Sequence, residues 1–378
     1  RIEALIRRRS MAAEAASAPV GAPRVRATGE VEAGGGTLRT TTISVPSPAA
    51  ARSRTGRGAA DPITVPVPAG TQQVGVSWTG DPAASFELRT RSSAGGAWST
   101  ATPLGGEGEE GPDGEGGRPG AGPLWLGHDG VVAVQVRLAS ATGPIADLRV
   151  EAMAWRPGPA TKAADVIARP ATAAGGPPIH LRSSWAPGGW NAADPVCGPK
   201  PRINARLDQA IVHHTDGTNT YRAADVPGIL AGIYRFHTAT RGWCDIGYNL
   251  LVDRFGGVWE GRLGGLDEAA WGGHAKGFNT RSVGVALLGT HQTGVAAATP
   301  TTAELASLRD VLAWKLGSQG IDPQATVAIP SGGNDRFPEG KVVVLPTIAG
   351  HGDTGSTACP GDLVRARLPQ LRKDVAAR

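Results

Sequence analysis

Between residues 157 and 178 the chain reads PGPATKAADVIARPATAAGGPP. Proline has no amide hydrogen for a helix interior or a central strand, and glycine has no side chain to pack, so this Ala/Pro/Gly stretch is expected to be a linker. It separates two parts of a 378-residue chain, a length that accommodates two or three domains. Residues 1–60, rich in Ala, Ser, Arg, Gly and Pro, are expected to form a flexible N-terminal segment with one strand over 38–45. Residues 61–156 contain short runs at 64–67, 73–78, 85–91, 131–138 and 147–155 that largely alternate apolar and polar side chains. Period-two alternation bounded by Gly, Pro and Asp clusters predicts an all-β, sandwich-like accessory domain. Its insert at 105–122, GGEGEEGPDGEGGRPGAG, is too polar to build a core. A solvated loop is the expectation there, with a calcium site the minor alternative.

Residues 179–378 alternate strand and helix signals and are expected to form one α/β domain, a central mixed sheet flanked by helices. QAIVHH at 209–214 reads as a buried strand. Over 224–240, Ile229, Ile233, Phe236 and His237 share one helical face. A hairpin is expected from 248–252 and 258–260, and a strand at 282–288. Thr301 and Glu304 form a capping box for a helix carrying Leu305, Leu308, Leu312 and Leu316. A further strand is expected at 342–348 and a terminal helix at 362–375.

The formal charge of +5 favours an anionic partner. Without Lys/Arg clusters interleaved with aromatics, nucleic acid is the weaker choice. No stretch approaches the ~18 apolar residues of a membrane span. The first residues carry a basic patch and an Ala-x-Ala-like site without an apolar segment between them, so a full signal peptide is absent from this chain. Nothing in the sequence specifies an oligomeric state. Three cysteines, Cys197, Cys244 and Cys359, suggest in an exported protein one pair plus one thiol with another task.

The chemistry gathers at two strand ends. His213 and His214 close one predicted strand; another ends at Gly350-His351, with Cys359 eight residues on. Catalytic zinc takes three protein ligands from His, Cys, Asp or Glu and keeps a position for water. Two histidines and a thiolate over one sheet edge would meet that need. The plainer readings are a chance His-His pair and a buried cysteine. Strand alternation turns His213 and His214 to opposite faces without saying which faces the cleft.

The ordered set Arg182-Ser183-Ser184-Trp185, 211–215, 236–249, Val258-Trp259-Glu260-Gly261-Arg262, Gly273-His274, 282–285, Gly350-His351 and Thr357-Ala358-Cys359-Pro360-Gly361 resembles the type 2 N-acetylmuramoyl-L-alanine amidase family, which includes the peptidoglycan recognition proteins. The likeness covers about half the chain. It implies Zn2+ held by His213, His351 and Cys359, catalytic assistance from Tyr248 and Thr357, and a peptidoglycan groove lined by His237, Arg241 and His274. It also implies a Cys197–Cys244 disulfide, which leaves Cys359 as the thiolate, and a secreted or cell-wall location. The implied activity is hydrolysis of the bond between N-acetylmuramic acid and L-alanine. The alternatives are a non-catalytic peptidoglycan-binding or sensing module and a purely structural zinc, which would need a fourth protein ligand. Glu260 offers a base or, more simply, an ion pair with Arg262 or another residue. Gly352 departs from the family, where an Arg is common, and puts a local salt bridge in question. All of this chemistry falls within 179–378, so that part alone is expected to fold and act on small substrates.

Overall fold

The computed structural model describes residues 22–46, 61–105, 111–115, 117–158, 166–167, 176–266, 268–294 and 297–378. Most of the expected linker, and residues 1–21 and 47–60 of the expected flexible segment, lie outside these.

Nine described strands precede residue 158 and form two antiparallel sheets. One has the order Arg24–Ala33, Gly36–Ser44, Ile145–Pro157, Gln73–Gly80, Gly120–Trp125; the other runs Ile63–Thr71, Val131–Ser140, Ser85–Arg91, Thr102–Gly105. The inward positions of both sheets, among them Val74, Val76, Trp78 and Val150 on one and Val65, Phe86, Leu88 and Val134 on the other, share a single core. All five alternating runs of the sequence are strands. Within 1–60, the hairpin Arg24–Ala33/Gly36–Ser44 holds the expected strand over 38–45 and adds one, Arg24–Ala33, that was not expected. Its second strand is rich in Thr, Ile and Leu and buries Leu38 and Ile43. Its tip needs glycine: a Cβ on Gly34 would lie 1.4 Å from the Ser183 carbonyl oxygen.

The second half is built on a seven-stranded sheet. Its order is Val166–Ile167, Ile179–His180, Val258–Glu260, Leu250–Val252, Ser282–Leu287, Gln209–His214, Ile348–Gly350. Gln209–His214 pairs in parallel with both of its neighbours. It is buried along its whole length, as a central parallel strand must be. The helix Thr302–Gly317, closed by the expected Thr301/Glu304 capping box, and the helix Leu368–Ala376 cover one face through Leu308, Leu312, Leu316 and Leu371. The helix Val226–Arg235, continued by a wider turn over Phe236–Thr240, covers the other.

Two expected elements break. The run at 342–348 divides: Val342–Pro346 pairs with Thr326–Pro330 in a separate ribbon, and only Ile348–Gly350 joins the central sheet. The ladder pairs Thr326 with Pro346, and the Thr347 N–H still donates to the Ala325 carbonyl at 3.0 Å before Ile348 turns into the central sheet. The terminal helix becomes Asp362–Arg365 and Leu368–Ala376, with Pro369 in the first turn of the second piece.

The two halves share an interface. The helix Val226–Arg235 lays Gly228 and Ala231 against Trp155, Leu38 and Met153. Phe236 sits over Gly75 and Gly120, where a Cβ on Gly75 would come within 2.4 Å of its ring. Gln73 Nε2 donates to the Gly228 carbonyl at 2.8 Å. The polar insert is also drawn in: the Glu115 side chain is only 12% exposed and pairs with Arg262. This corrects the solvated-loop expectation for residues 111–115 and 117–120. A buried arginine gives the carboxylate a partner that outweighs hydration.

Candidate metal centre and cleft

The register of three parallel strands builds the centre. Val212 is opposite Gly350, so the next residues along, His213 and His351, emerge side by side at the C-terminal ends of adjacent strands. Crevices at such strand ends are where open α/β sheets place ligands. The chain then turns through the short helix His351–Thr354 and returns Cys359, fixed by a Gly352 N–H bond to the Cys359 carbonyl (2.7 Å). The nearest ligand atoms of His213, His351 and Cys359 all lie within 4.8 Å of one another. His213 Nδ1 is 3.7 Å from Cys359 Sγ, and the His214 N–H donates to the same sulfur at 3.3 Å.

These three side chains are 0%, 2% and 1% exposed. Burial holds His213 well below the usual histidine range, reinforced by His351, His274 and His214. His351 is pushed down to about 3, again chiefly by burial. Both imidazoles are therefore neutral at physiological pH, the state that ligates a metal. Two neutral imidazoles and a thiol at this spacing fit a small, borderline-soft ion such as zinc. Among the described residues this is the one such His/Cys/Asp/Glu cluster.

His274 is buried behind His213, not on the cleft wall, and its Nδ1 lies 2.9 Å from His213 Nε2. Glycine makes the room: a Cβ on Gly284 would come 2.3 Å from the His274 ring. Asn279 Oδ1 accepts from the His274 and Ala275 N–H groups and so anchors this loop. His214 turns the other way, its Nδ1 accepting from His291 N–H at 3.1 Å. Tyr248, 4% exposed, places its ring 5.5 Å from the His213 ring, centre to centre. Thr357 Oγ1 accepts the Cys359 N–H at 3.1 Å. At Gly352 the space is taken by Arg365, which pairs with Asp353 at 3.2 Å; a Cβ there would sit 2.0 Å from its guanidinium.

A cleft of about 250 Å³ opens above Tyr248. His237, Arg241 and Trp243 form one side, with the 214–216 turn at its edge; Trp78, Arg118 and the strand start at Gly120 form the other. His237 is mostly buried: its Nδ1 accepts the Gly247 N–H, and Trp243 packs on its ring at 4.3 Å. The Arg241 guanidinium lies 4.1 Å above the Trp243 ring. The three metal-competent side chains lie below this cleft and do not line it.

Around the cleft, the Cys197–Cys244 disulfide, Cα atoms 5.4 Å apart, ties the segment before the His213 strand to the loop before Tyr248. Buried Asp245 accepts from Arg182 at 3.0 Å, which fixes the Arg182–Ser184 turn against the same loop. Glu260 accepts the Arg182 N–H, while the Arg262 guanidinium pairs with Glu115. Sequence reading missed Glu115, Asp113 and Asn279, because no local pattern links residues 129 to 166 positions apart.

Comparison with known proteins assigns the second half to a family. The family model described as N-acetylmuramoyl-L-alanine amidase matches residues 204–362. Peptidoglycan-recognition protein SC2 of Drosophila simulans is 30% identical over 186 residues, covering 48% of this chain and 80% of that protein. The Drosophila melanogaster SC2 protein gives the same identity and coverage. The human N-acetylmuramoyl-L-alanine amidase is 35% identical over 146 residues, covering 36% of this chain but only 22% of its own length. The chain thus belongs to the family of N-acetylmuramoyl-L-alanine amidases and peptidoglycan-recognition proteins.

Proposed function

We propose that this protein is a zinc-dependent amidase that hydrolyses the bond between the lactyl group of N-acetylmuramic acid and the L-alanine of a peptidoglycan stem peptide. The observation that carries the reading is the meeting of two neutral imidazoles and a thiol at adjacent strand ends beneath Tyr248. Zinc bound there would lower the pKa of a coordinated water toward ~7 and polarise the scissile carbonyl.

The chain's own residues supply the rest. His213 directs Nδ1 toward the ligand cluster, so the proton belongs on Nε2, where it is donated to His274 Nδ1. That bond sets the tautomer and orientation of the ring. His274 is a positioning residue in this scheme. In this reading Tyr248, whose ring lies 5.5 Å from the His213 ring, donates its hydroxyl to the oxygen that gains negative charge as the amide is attacked. Thr357, oriented by the Cys359 N–H, stands beside the thiolate for the same purpose. Arg241 and His237 on the cleft wall bind the glycopeptide, and Arg241 suits a carboxylate. The disulfide supports action in an oxidising, extracytoplasmic compartment.

A second reading, peptidoglycan binding without turnover, has its own observation: the three ligand side chains lie beneath the cleft and do not line it. One experiment separates the two. Purified wild-type protein and Cys359→Ser are assayed for bound zinc and for new muramic-acid ends on isolated sacculi. The amidase reading expects one zinc per chain and new ends in the wild type, with both lost in the variant. Sacculi bound but uncut by zinc-loaded wild type would favour the second reading.

A further inference from the structure

Two half-buried carboxylates of the polar insert stand at the cleft, and the chemistry above uses neither. Asp113 accepts the Gly277 N–H at 2.6 Å and an Asn279 side-chain N–H at 3.1 Å. Glu115 accepts the Cys244 N–H at 2.9 Å and pairs with Arg262. The Gly111 carbonyl accepts from Asn279 Nδ2 at 2.8 Å, and the Arg118 N–H donates to the Arg241 carbonyl at 2.9 Å. These anchors fall on four separate places in the second half: the loop carrying Arg241, Cys244 before Tyr248, Arg262 after its strand, and the 277–279 turn after His274. Apart from Asp113, Glu115 and Arg118 the described segment is glycine and proline, with no apolar side chain large enough to hold it. Residues 111–115 are held by these second-half bonds, whereas 117–120 are held also by the first half, where the Arg118 side chain donates to Ser77 Oγ and Asp147 Oδ2, each at 3.1 Å, and the Trp78 N–H donates to the Pro119 carbonyl at 3.1 Å.

We propose that residues 111–115 and 117–120 are the specificity-determining wall of the cleft, admitting a single muramyl-peptide stem and excluding one cross-linked to a second strand. This rests on the amidase reading and adds the substrate class to it. Gly111, Pro112, Gly117 and Pro119 line the cleft. A Cβ on Gly117 would come 3.3 Å from Trp243 Nε1, and the Arg118 N–H bonds the Arg241 carbonyl, so the wall packs directly on the Arg241–Trp243 part of the lining and narrows the cleft there. The enclosed space of about 250 Å³ is just below the usual range for ligand pockets, roughly 300–1,000 Å³. Asp113 and Glu115 are both engaged by donors of the second half, so the selection is by width more than by charge. A branched stem must bring a second peptide past this wall; a linear one need not.

The test measures binding by the full chain, with metal chelated to stop turnover, of an uncross-linked muropeptide and of its cross-linked dimer. The wild type is expected to favour the monomer by at least about tenfold, as steric exclusion at a pocket typically allows. Asp113→Ala/Glu115→Ala is expected to narrow the ratio to about twofold, mainly by tighter dimer binding, as the wall loses its anchors. Circular dichroism checks that the variant is folded; if it is not, Glu115→Ala alone, which removes the acceptor of the Cys244 N–H and the partner of Arg262, decides by the same ratio. Equal wild-type affinities, an unchanged ratio in a folded variant, or no binding of either muropeptide would overturn the proposal. Loss of the amidase reading looks different: both muropeptides bind with the expected ratio, and neither is cut when zinc is restored.

Discussion

Tyr248→Phe removes one hydroxyl from the floor of the cleft and leaves the ring that packs near His213 and His237. If that hydroxyl stabilises the oxyanion, kcat on a defined muramyl peptide should fall on the order of 10²–10³-fold, about 3–4 kcal/mol, with zinc content unchanged. An effect confined to KM would instead mean that the ring serves packing or substrate contact alone. At this scale much of the site was legible in the sequence. His213, His351 and Cys359 stand at strand ends and a return loop that the sequence singled out, and the structure brings the three together. The role of His274 was not legible: sequence placed it on a groove wall, whereas the structure sets it behind His213. Only the register of Ser282–Leu287 beside Gln209–His214, with glycine at 284, makes that space.

The helix Val226–Arg235 shows how one element serves two cores. Ile229 and Ile233 face the sheet of the second half, as their spacing predicted. The opposite face carries Gly228, Ala231 and Gly232, small residues that read as a weak helix but let Trp155 and Gln73 approach. A Cβ on Gly228 would lie 2.5 Å from the Trp155 ring. Gly228→Ala gains up to about 1 kcal/mol of helix propensity. It also forces a buried indole to move, which typically costs about 1–3 kcal/mol. Net destabilisation of about 1–2 kcal/mol is expected from urea unfolding of the whole chain. A stabilised variant would show that Trp155 yields freely and that the helix is not tightly clamped.

For the whole molecule, the interface changes what a truncation should do. Removing the first half would uncover Phe236, Ala231 and the cleft side of Trp243, and would take away one wall of the cleft. A fragment of residues 179–378 is therefore expected to bind a hydrophobic dye and to unfold at lower denaturant than the full chain, because an exposed apolar face of this kind is otherwise covered. Equal midpoints without dye binding would restore the expectation that this part stands alone.

Period-two and helical patterning, strand-end histidines and the ordered motifs are local signals, and by themselves they determined six of the nine described strands before residue 158, the main helices and the choice of His213, His351 and Cys359. Breaks in register, such as the division of 342–348, depend on which neighbour each half meets, and no single strand encodes that. The placement of Asp113 and Glu115 was decided only by the tertiary structure. Glycine-rich polar sequence has no periodicity, and a carboxylate settles wherever a distant fold offers a buried guanidinium or an unfilled N–H. Those partners, Cys244, Arg262, Gly277 and Asn279, lie 129 to 166 residues away and exist as a site only once the second half has folded.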